Sequence, residues 1–254
     1  MAEYPVVHLE YSTSDPLQAR EFYSQVFGWK TEHDERFDYV QAFPPNGISI
    51  GFPRPNPEQG WNVGDVTLYL GSPDLDASLA AAANAGGQVL MPATAMPGIG
   101  SWALFSSPGS VRYALFKSEY AQTATQEPAD TDSPHPIVHI EFVTDDPASA
   151  SQFAQQMFGW QTQYLPQFDY HTVMLPNTIG GAYPRPGAPG VKAGALIVYV
   201  GTADLEATVQ AIEAAGGHIT LPKTEVPGMG WMSHFTDPTG NLLGLWQTSN
   251  PNMG

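Results

Sequence analysis

The chain contains no cysteine, which removes disulfides, thiolate nucleophiles and cysteine-ligated zinc together. Basic residues are scarce. Nine Lys and Arg stand against 25 Asp and Glu, a formal net charge of −16. Such a surface repels phosphate backbones and anionic headgroups, so neither nucleic acid nor a membrane is an expected partner. No apolar run approaches the roughly 18 residues of a membrane span, and the opening MAEYPVVHLE does not read as a secretory signal, so a cytoplasmic protein is expected. Also missing are a glycine-rich phosphate loop, a G-x-S-x-G elbow and an H-E-x-x-H helix. The glycine-rich PGIGSW and PGMGWM segments, 97–102 and 227–232, precede strand-like stretches and are expected to form mobile lips rather than anion cradles.

What is present is written twice. VVHLEYSTSDP at 6–16, followed by FGW at 27–29, returns as IVHIEFVTDDP at 137–147 followed by FGW at 158–160. The register set by His8 and His139 predicts further matches, and Phe37-Asp38-Tyr39 answers Phe168-Asp169-Tyr170, as Phe52-Pro53-Arg54-Pro55 answers Tyr183-Pro184-Arg185-Pro186. A period this long is a duplicated domain, since solenoid repeats run about 20–50 residues. The segment EYAQTATQEPADTDSPHP, 119–136, is acidic, polar and proline-bearing without an apolar period, so it reads as a linker between a first domain, 1–118, and a second, 137–249.

Within each copy, apolar Val7, Leu9 and Tyr11 alternate with His8, Glu10 and Ser12, the period of a strand with two unlike faces. Asp15-Pro16 then opens a helix whose apolar positions Ala19, Phe22, Tyr23, Val26 and Phe27 share one side, and Gly28 stops it. Copy two repeats this with Ala150, Phe153, Ala154, Met157, Phe158 and Gly159. Strands are expected near 38–43 and 48–53, again at 66–70 before a helix capped by Asp74, and near 101–106 and 111–117, with counterparts in copy two.

The order H-x-E-x-x-x-x-D-P, a helix ending FGW, a later D-L-[DE]-A helix ending in Gly-Gly, and the turn Asp237-Pro238-Thr239-Gly240-Asn241 resemble the vicinal oxygen chelate superfamily, which includes glyoxalase I, bleomycin-resistance proteins and extradiol dioxygenases. The resemblance spans both copies. It implies an α+β fold of four βαβββ units forming two curled, cup-shaped mixed sheets with helices outside. It also implies ligands for a divalent metal on the first and last strands of each unit. Carried over position by position, His8 and His139 match. The fifth-strand positions, however, hold Thr67 and Ile197, the last-strand carboxylate positions hold Ala114 and Gly244, and the fourth strands offer no donor side chain. One donor of four does not hold such an ion, so no metal cofactor is expected. A divalent ion held by His8, Glu10, His139 and Glu141 is the alternative, because i and i+2 share a strand face.

The residues in phase with the family's site positions are His8, Glu10, Tyr69, Arg112 and Phe116 in copy one, and His139, Glu141, Tyr199, Gly244 and Trp246 in copy two. This mixture of imidazole, carboxylate, phenol and aromatic wall suits a small aromatic or amphipathic ligand. Arg112 can balance Glu10 or clamp an acidic group, and Gly244 is expected to leave the second cup roomier. His171 and His234 carry less weight, since their counterparts are Val40 and Leu104, while His33, His135 and His218 are expected in solvent. Two function classes follow: a metal-independent small-molecule binder like the bleomycin-resistance branch, or a glyoxalase-like lyase, isomerase or dioxygenase with atypical ligands. The duplication is expected to give a pseudo-two-fold monomer or a homodimer. Brief protease treatment should nick 119–136 first and leave two fragments of similar size; early cuts inside 6–117 or 137–247 with the linker spared would reject these boundaries.

Overall fold

A computed structural model describes residues 4–45, 47–119, 133–176, 179–187 and 191–249, apart from the side chain of Gln59. Most of the expected linker lies outside the described residues. The first copy folds as β1 (Val6–Tyr11), α1 (Pro16–Phe27), β2 (Lys30–Asp34), β3 (Tyr39–Phe43), β4 (Ser49–Phe52), β5 (Val66–Gly71), α2 (Leu75–Asn84), β6 (Gln88–Met96), β7 (Gly100–Ser106) and β8 (Arg112–Ser118). The second repeats it as β9 (Ile137–Phe142), α3 (Pro147–Phe158), β10 (Gln161–Leu165), β11 (Tyr170–Met174), β12 (Gly180–Tyr183), β13 (Leu196–Gly201), α4 (Leu205–Ala214), β14 (His218–Val226), β15 (Gly230–Thr236) and β16 (Leu242–Thr248).

Each copy makes one eight-stranded sheet, ordered β2-β3-β4-β1-β5-β8-β7-β6 in the first and β10-β11-β12-β9-β13-β16-β15-β14 in the second. The hairpins are antiparallel, whereas β5 runs parallel to β8 and β13 to β16. Both sheets keep two edge strands and are therefore open rather than closed barrels, the α+β architecture that the duplicated pattern implies.

The four helices start as the sequence indicates. Asp15, Asp74, Asp146 and Asp204 each cap a helix, accepting from the backbone N–H of Gln18, Ala77, Ser149 and Ala207. Gly28 and Gly159 end α1 and α3 with φ of 66° and 70°, a left-handed turn that a side chain disfavours. The elements without a strong sequence signal are β2, β6, β10 and β14. All four lie at sheet edges. Without a buried face they need no alternation, so KTEHD and the proline-bearing QVLMPATAM form strands with little apolar patterning. The glycine-rich lips are tight hairpin turns joining β6 to β7 and β14 to β15, closed by Ile99 N–H to Met96 O and Met229 N–H to Val226 O at 3.0 Å each.

The chain packs as two compact units, and each draws on both copies. The first is built from the described residues of Met1–His8, Thr67–Ala124 and Ile140–Leu196. Its core stacks Phe105 on Tyr113 at 5.6 Å and brings Phe153 to 6.0 Å from Phe105. The second comprises the described residues of Leu9–Val66, Thr125–His139 and Ile197–Gly254. There Tyr23 stacks on Trp29 with ring centroids 5.5 Å apart, and Phe22 lies 6.2 Å from Phe235. His135 belongs to this core rather than to solvent: its ring meets Gly201 O at 3.1 Å and stands edge-on to Phe27. His33, also expected in solvent, pairs with Asp38 at 3.3 Å.

A buried carboxylate anchors the second unit. Asp237, 3% exposed, accepts from the Thr239 and Asn241 backbone N–H groups, the Thr239 hydroxyl, Asn241 Nδ2, and the Tyr23 hydroxyl at 3.0 Å. Burial, and secondarily the Asp237 charge, raise the Tyr23 phenol well above its ordinary range, so it remains a donor. Copy one has Ser107 at the equivalent place and lacks this network. Tyr23→Phe should lower unfolding stability by about 1–3 kcal/mol, the cost of removing one partner from a buried charged acceptor. Urea denaturation checks it, and an unchanged midpoint would show the contact to be dispensable.

Candidate functional site

The pleat of each strand divides its side chains between two faces. On β8, Tyr113 and Leu115 are fully buried, while Phe116 is half-buried and Arg112 exposed. The register pairs Tyr69 of β5 with Ala114, Trp102 of β7 with Phe116, and Leu104 with Ala114. The first unit therefore carries a run of rings: His8 lies 5.7 Å from Tyr69, and Tyr69 lies 6.2 Å from Trp102, tilted by 37°. All three are half-buried.

The same positions in the second unit are arranged differently. His139 stands edge-on to Tyr199 at 5.6 Å. Tyr199 lies across Gly244 and joins its hydroxyl to Nε2 of His234 at 2.8 Å. The register explains the contact, because Gly244 pairs with Tyr199 on one side and with His234 on the other. The tyrosine thus bridges over the intervening strand. A Cβ at 244 would overlap its ring, so glycine is the residue that permits this approach. Tyr199 is 3% and His234 6% exposed. Burial pushes His139 down to about 4 and lowers His234 as well, leaving both imidazoles neutral near pH 7. Trp246 is half-buried and pairs with Met232 two positions along the same face.

This corrects two expectations. Gly244 does not leave room beside Trp246, because the Tyr199 ring occupies that space. His234, given little weight from sequence, is a central member of the cluster. A glycine in a strand interior was the available signal for both, since it marks a place where something approaches the backbone closely.

The two carboxylates have their own partners. In the second unit Tyr39 donates to Glu10 at 3.0 Å, and in the first Tyr170 donates to Glu141 at 2.6 Å. The repeated Phe-Asp-Tyr triplets supply both tyrosines. Their aspartates, Asp38 and Asp169, take φ of 47° and 46° at the turn before the strand. Burial, with the adjacent glutamate second, raises both phenols well above their usual range.

These surroundings do not fit the family's metal centre. Thr67 and Ile197 are buried non-ligands, Ala114 has no donor, and Tyr199 covers Gly244. Among the described residues, no group of three or more His, Asp or Glu is placed to hold an ion. No described helix is long and apolar enough to cross a membrane.

Comparison with known proteins agrees with the duplication. Residues 7–116 match the family described as "Glyoxalase-like domain", and residues 136–245 match "Glyoxalase/Bleomycin resistance protein/Dioxygenase superfamily". The protein named "Putative glyoxylase CFP32" of Mycobacterium tuberculosis (strain CDC 1551 / Oshkosh) is 23% identical, over 93% of this chain and 92% of its own length. "Anthracycline biosynthesis protein DnrV" of Streptomyces peucetius is 26% identical over 40% of this chain and 43% of its own. Among solved structures, the Mn(II)-bound glyoxalase from Novosphingobium aromaticivorans shares the fold with a TM-score of 0.64 at 16% identity, covering 97% of this chain and 83% of that one. The 2,3-dioxygenase LapB from Pseudomonas sp. KL28 does so with 0.64 at 12% identity, covering 99% and 95%. With matches to both halves and the fold of both, this chain belongs to the glyoxalase/bleomycin resistance protein/dioxygenase superfamily and carries two of its domains in tandem.

Proposed function

We propose that this protein binds a small aromatic or amphipathic molecule against the ring-bearing strand faces, without the divalent centre of its metal-dependent relatives. The observation that carries this reading is the replacement of donor positions by rings and small residues: Tyr199 on Gly244 in one unit, and in the other Tyr69 beside Trp102, with Ala114 paired to Tyr69 on the next strand. Half-buried aromatic surface with a few fixed polar groups is the composition of small-molecule sites. The likeness to a protein named for anthracycline biosynthesis points the same way, anthracyclines being fused-ring aromatic compounds. The second reading, a glyoxalase-like lyase or isomerase or a dioxygenase with atypical ligands, draws on the paired H-x-E strands and on the likeness to a Mn(II)-bound glyoxalase.

Metal content separates the two. Protein purified without chelator or affinity tag should carry well under one equivalent of Zn, Ni, Fe or Mn per chain, and added ions should leave its melting temperature unchanged, because an ion that binds only the native state stabilises it by mass action. Stoichiometric metal that disappears in His8→Ala or His139→Ala protein would establish the enzyme reading instead.

Binding is tested with a panel of aromatic metabolites and planar antibiotics, read by tryptophan fluorescence and thermal shift. A true ligand at about 100 times its Kd should stabilise the fold by about 2.7 kcal/mol. A panel without a single stabilising member would count against the binding role.

A further inference from the structure

We propose that the ligand site lies on the first copy's face, where Trp102, Tyr69 and Phe116 form the wall and Arg112 receives an anionic group, and that the matching face of the second copy is filled by its own Tyr199. The ligand class is then a planar aromatic anion, such as an aromatic carboxylate. This deepens the reading of the protein as a binder of aromatic molecules and rests on it.

At position 114 copy one has an alanine where copy two has Gly244, and a Cβ at 244 would overlap the Tyr199 ring. Tyr69 therefore cannot lie across its neighbouring strand as Tyr199 does. Copy one also has Leu104 where His234 accepts or donates the hydrogen bond that holds Tyr199 down. Both devices that close the second face are absent from the first. The exposures differ at this one position: Tyr199 is 3% exposed whereas Tyr69 remains partly open to solvent, while the flanking positions match between the copies, Thr67 and Ile197 being 3% and 2% exposed and His8, Trp102 and Phe116 half-buried like His139, Met232 and Trp246. Phe105 and Tyr113 on the opposite face are fully buried, which sets that core apart from the partly open rings of this face.

Arg112 supplies the charge preference. It lies four residues before Phe116 on β8, hence on the same face and about 13 Å away along the strand. Two fused rings with a carboxylate, met by an extended arginine, span that length. The guanidinium is suited to a carboxylate because it donates two parallel hydrogen bonds. Copy two has Leu242 at this place. A chain of net charge −16 repels anions at long range, and salt screens that repulsion while affecting a direct contact less. The preference for an acid should therefore persist at high salt.

The test uses the full chain and three isosteric probes: 2-naphthoate, neutral 2-naphthylmethanol and cationic 2-naphthylmethylamine, titrated by calorimetry and tryptophan quenching. Naphthoate should bind at one equivalent per chain and about tenfold more tightly than the alcohol, with the amine weakest. Arg112→Gln, a change at an exposed position, should erase the preference for the acid and leave affinity for the alcohol unchanged. Transplanting the second copy's arrangement with Ala114→Gly and Leu104→His should weaken naphthoate at least tenfold. The reverse pair, Gly244→Ala with His234→Leu, should free the second face and raise the alcohol's stoichiometry toward two. Circular dichroism and melting curves identify any variant that fails to fold, in which case Arg112→Gln decides. Two equivalents in wild type, or an acid preference that survives Arg112→Gln, would overturn the assignment while leaving the binding role standing. Failure of all three probes and of the wider panel to bind would remove both.

Discussion

The two-residue period of the β-strand decides which side chains in this protein line an open face and which can only hold it together. On β8 the residues Tyr113 and Leu115 face the helix-packed core, and Arg112, Ala114 and Phe116 face the other way. The same alternation on β5, β7 and β1 brings Tyr69, Trp102 and His8 to that second face, so residues distant in sequence become one row of rings. A slip of one residue in any of these strands would exchange the core for the site. The parallel pairing of β5 with β8 fixes the register at Tyr69 and Ala114, and everything inferred about the face depends on that alignment.

Given this shared frame, the copies have diverged by small changes with large geometric effects. One methyl group, Ala114 against Gly244, separates a tyrosine that stands beside Trp102 from one that lies over its neighbouring strand and bonds to His234. The cores have diverged too. The second unit ties Tyr23 to the buried carboxylate of Asp237, while the first places Tyr113 and Tyr183 hydroxyl to hydroxyl at 3.4 Å. Duplication has preserved the caps, turns and strand order and left the polar interior of each unit free to change.

Much of the fold was legible in the sequence because the relevant signals are local. Asp-Pro before an amphipathic run and Gly after it specify α1 and α3 without reference to the rest of the chain. The edge strands β2, β6, β10 and β14 were not legible, since a strand with no buried face has no pattern to show. Individual candidate residues, His8 and Tyr69 among them, came from strand phase relative to the positions the family resemblance implies. Their partners were not, because the Tyr199 contact with His234 crosses three strands and depends on the absence of a side chain at Gly244. The vacancy expected there was a statement about one residue, and the neighbouring strand supplied the ring that fills it. The assignment of both units to segments from both copies was likewise invisible to a reading by repeats.

That interleaving sets the order in which the protein can assemble during synthesis. Phe22 and Tyr23 emerge early, but their partners Phe235 and Asp237 lie 214 positions further on in the Tyr23 pairing. At a translation rate of about 5–20 residues per second, the aromatic face of α1 waits roughly 10–40 s for the strand that covers it. Neither compact unit can close on a nascent chain that has delivered only the first copy. The late segments are therefore the rate-determining arrivals, and long-range pairing of this kind folds slowly because loop closure precedes the contacts that repay it. The exposed first half is the part of this protein with most to gain from a chaperone while the ribosome finishes the second.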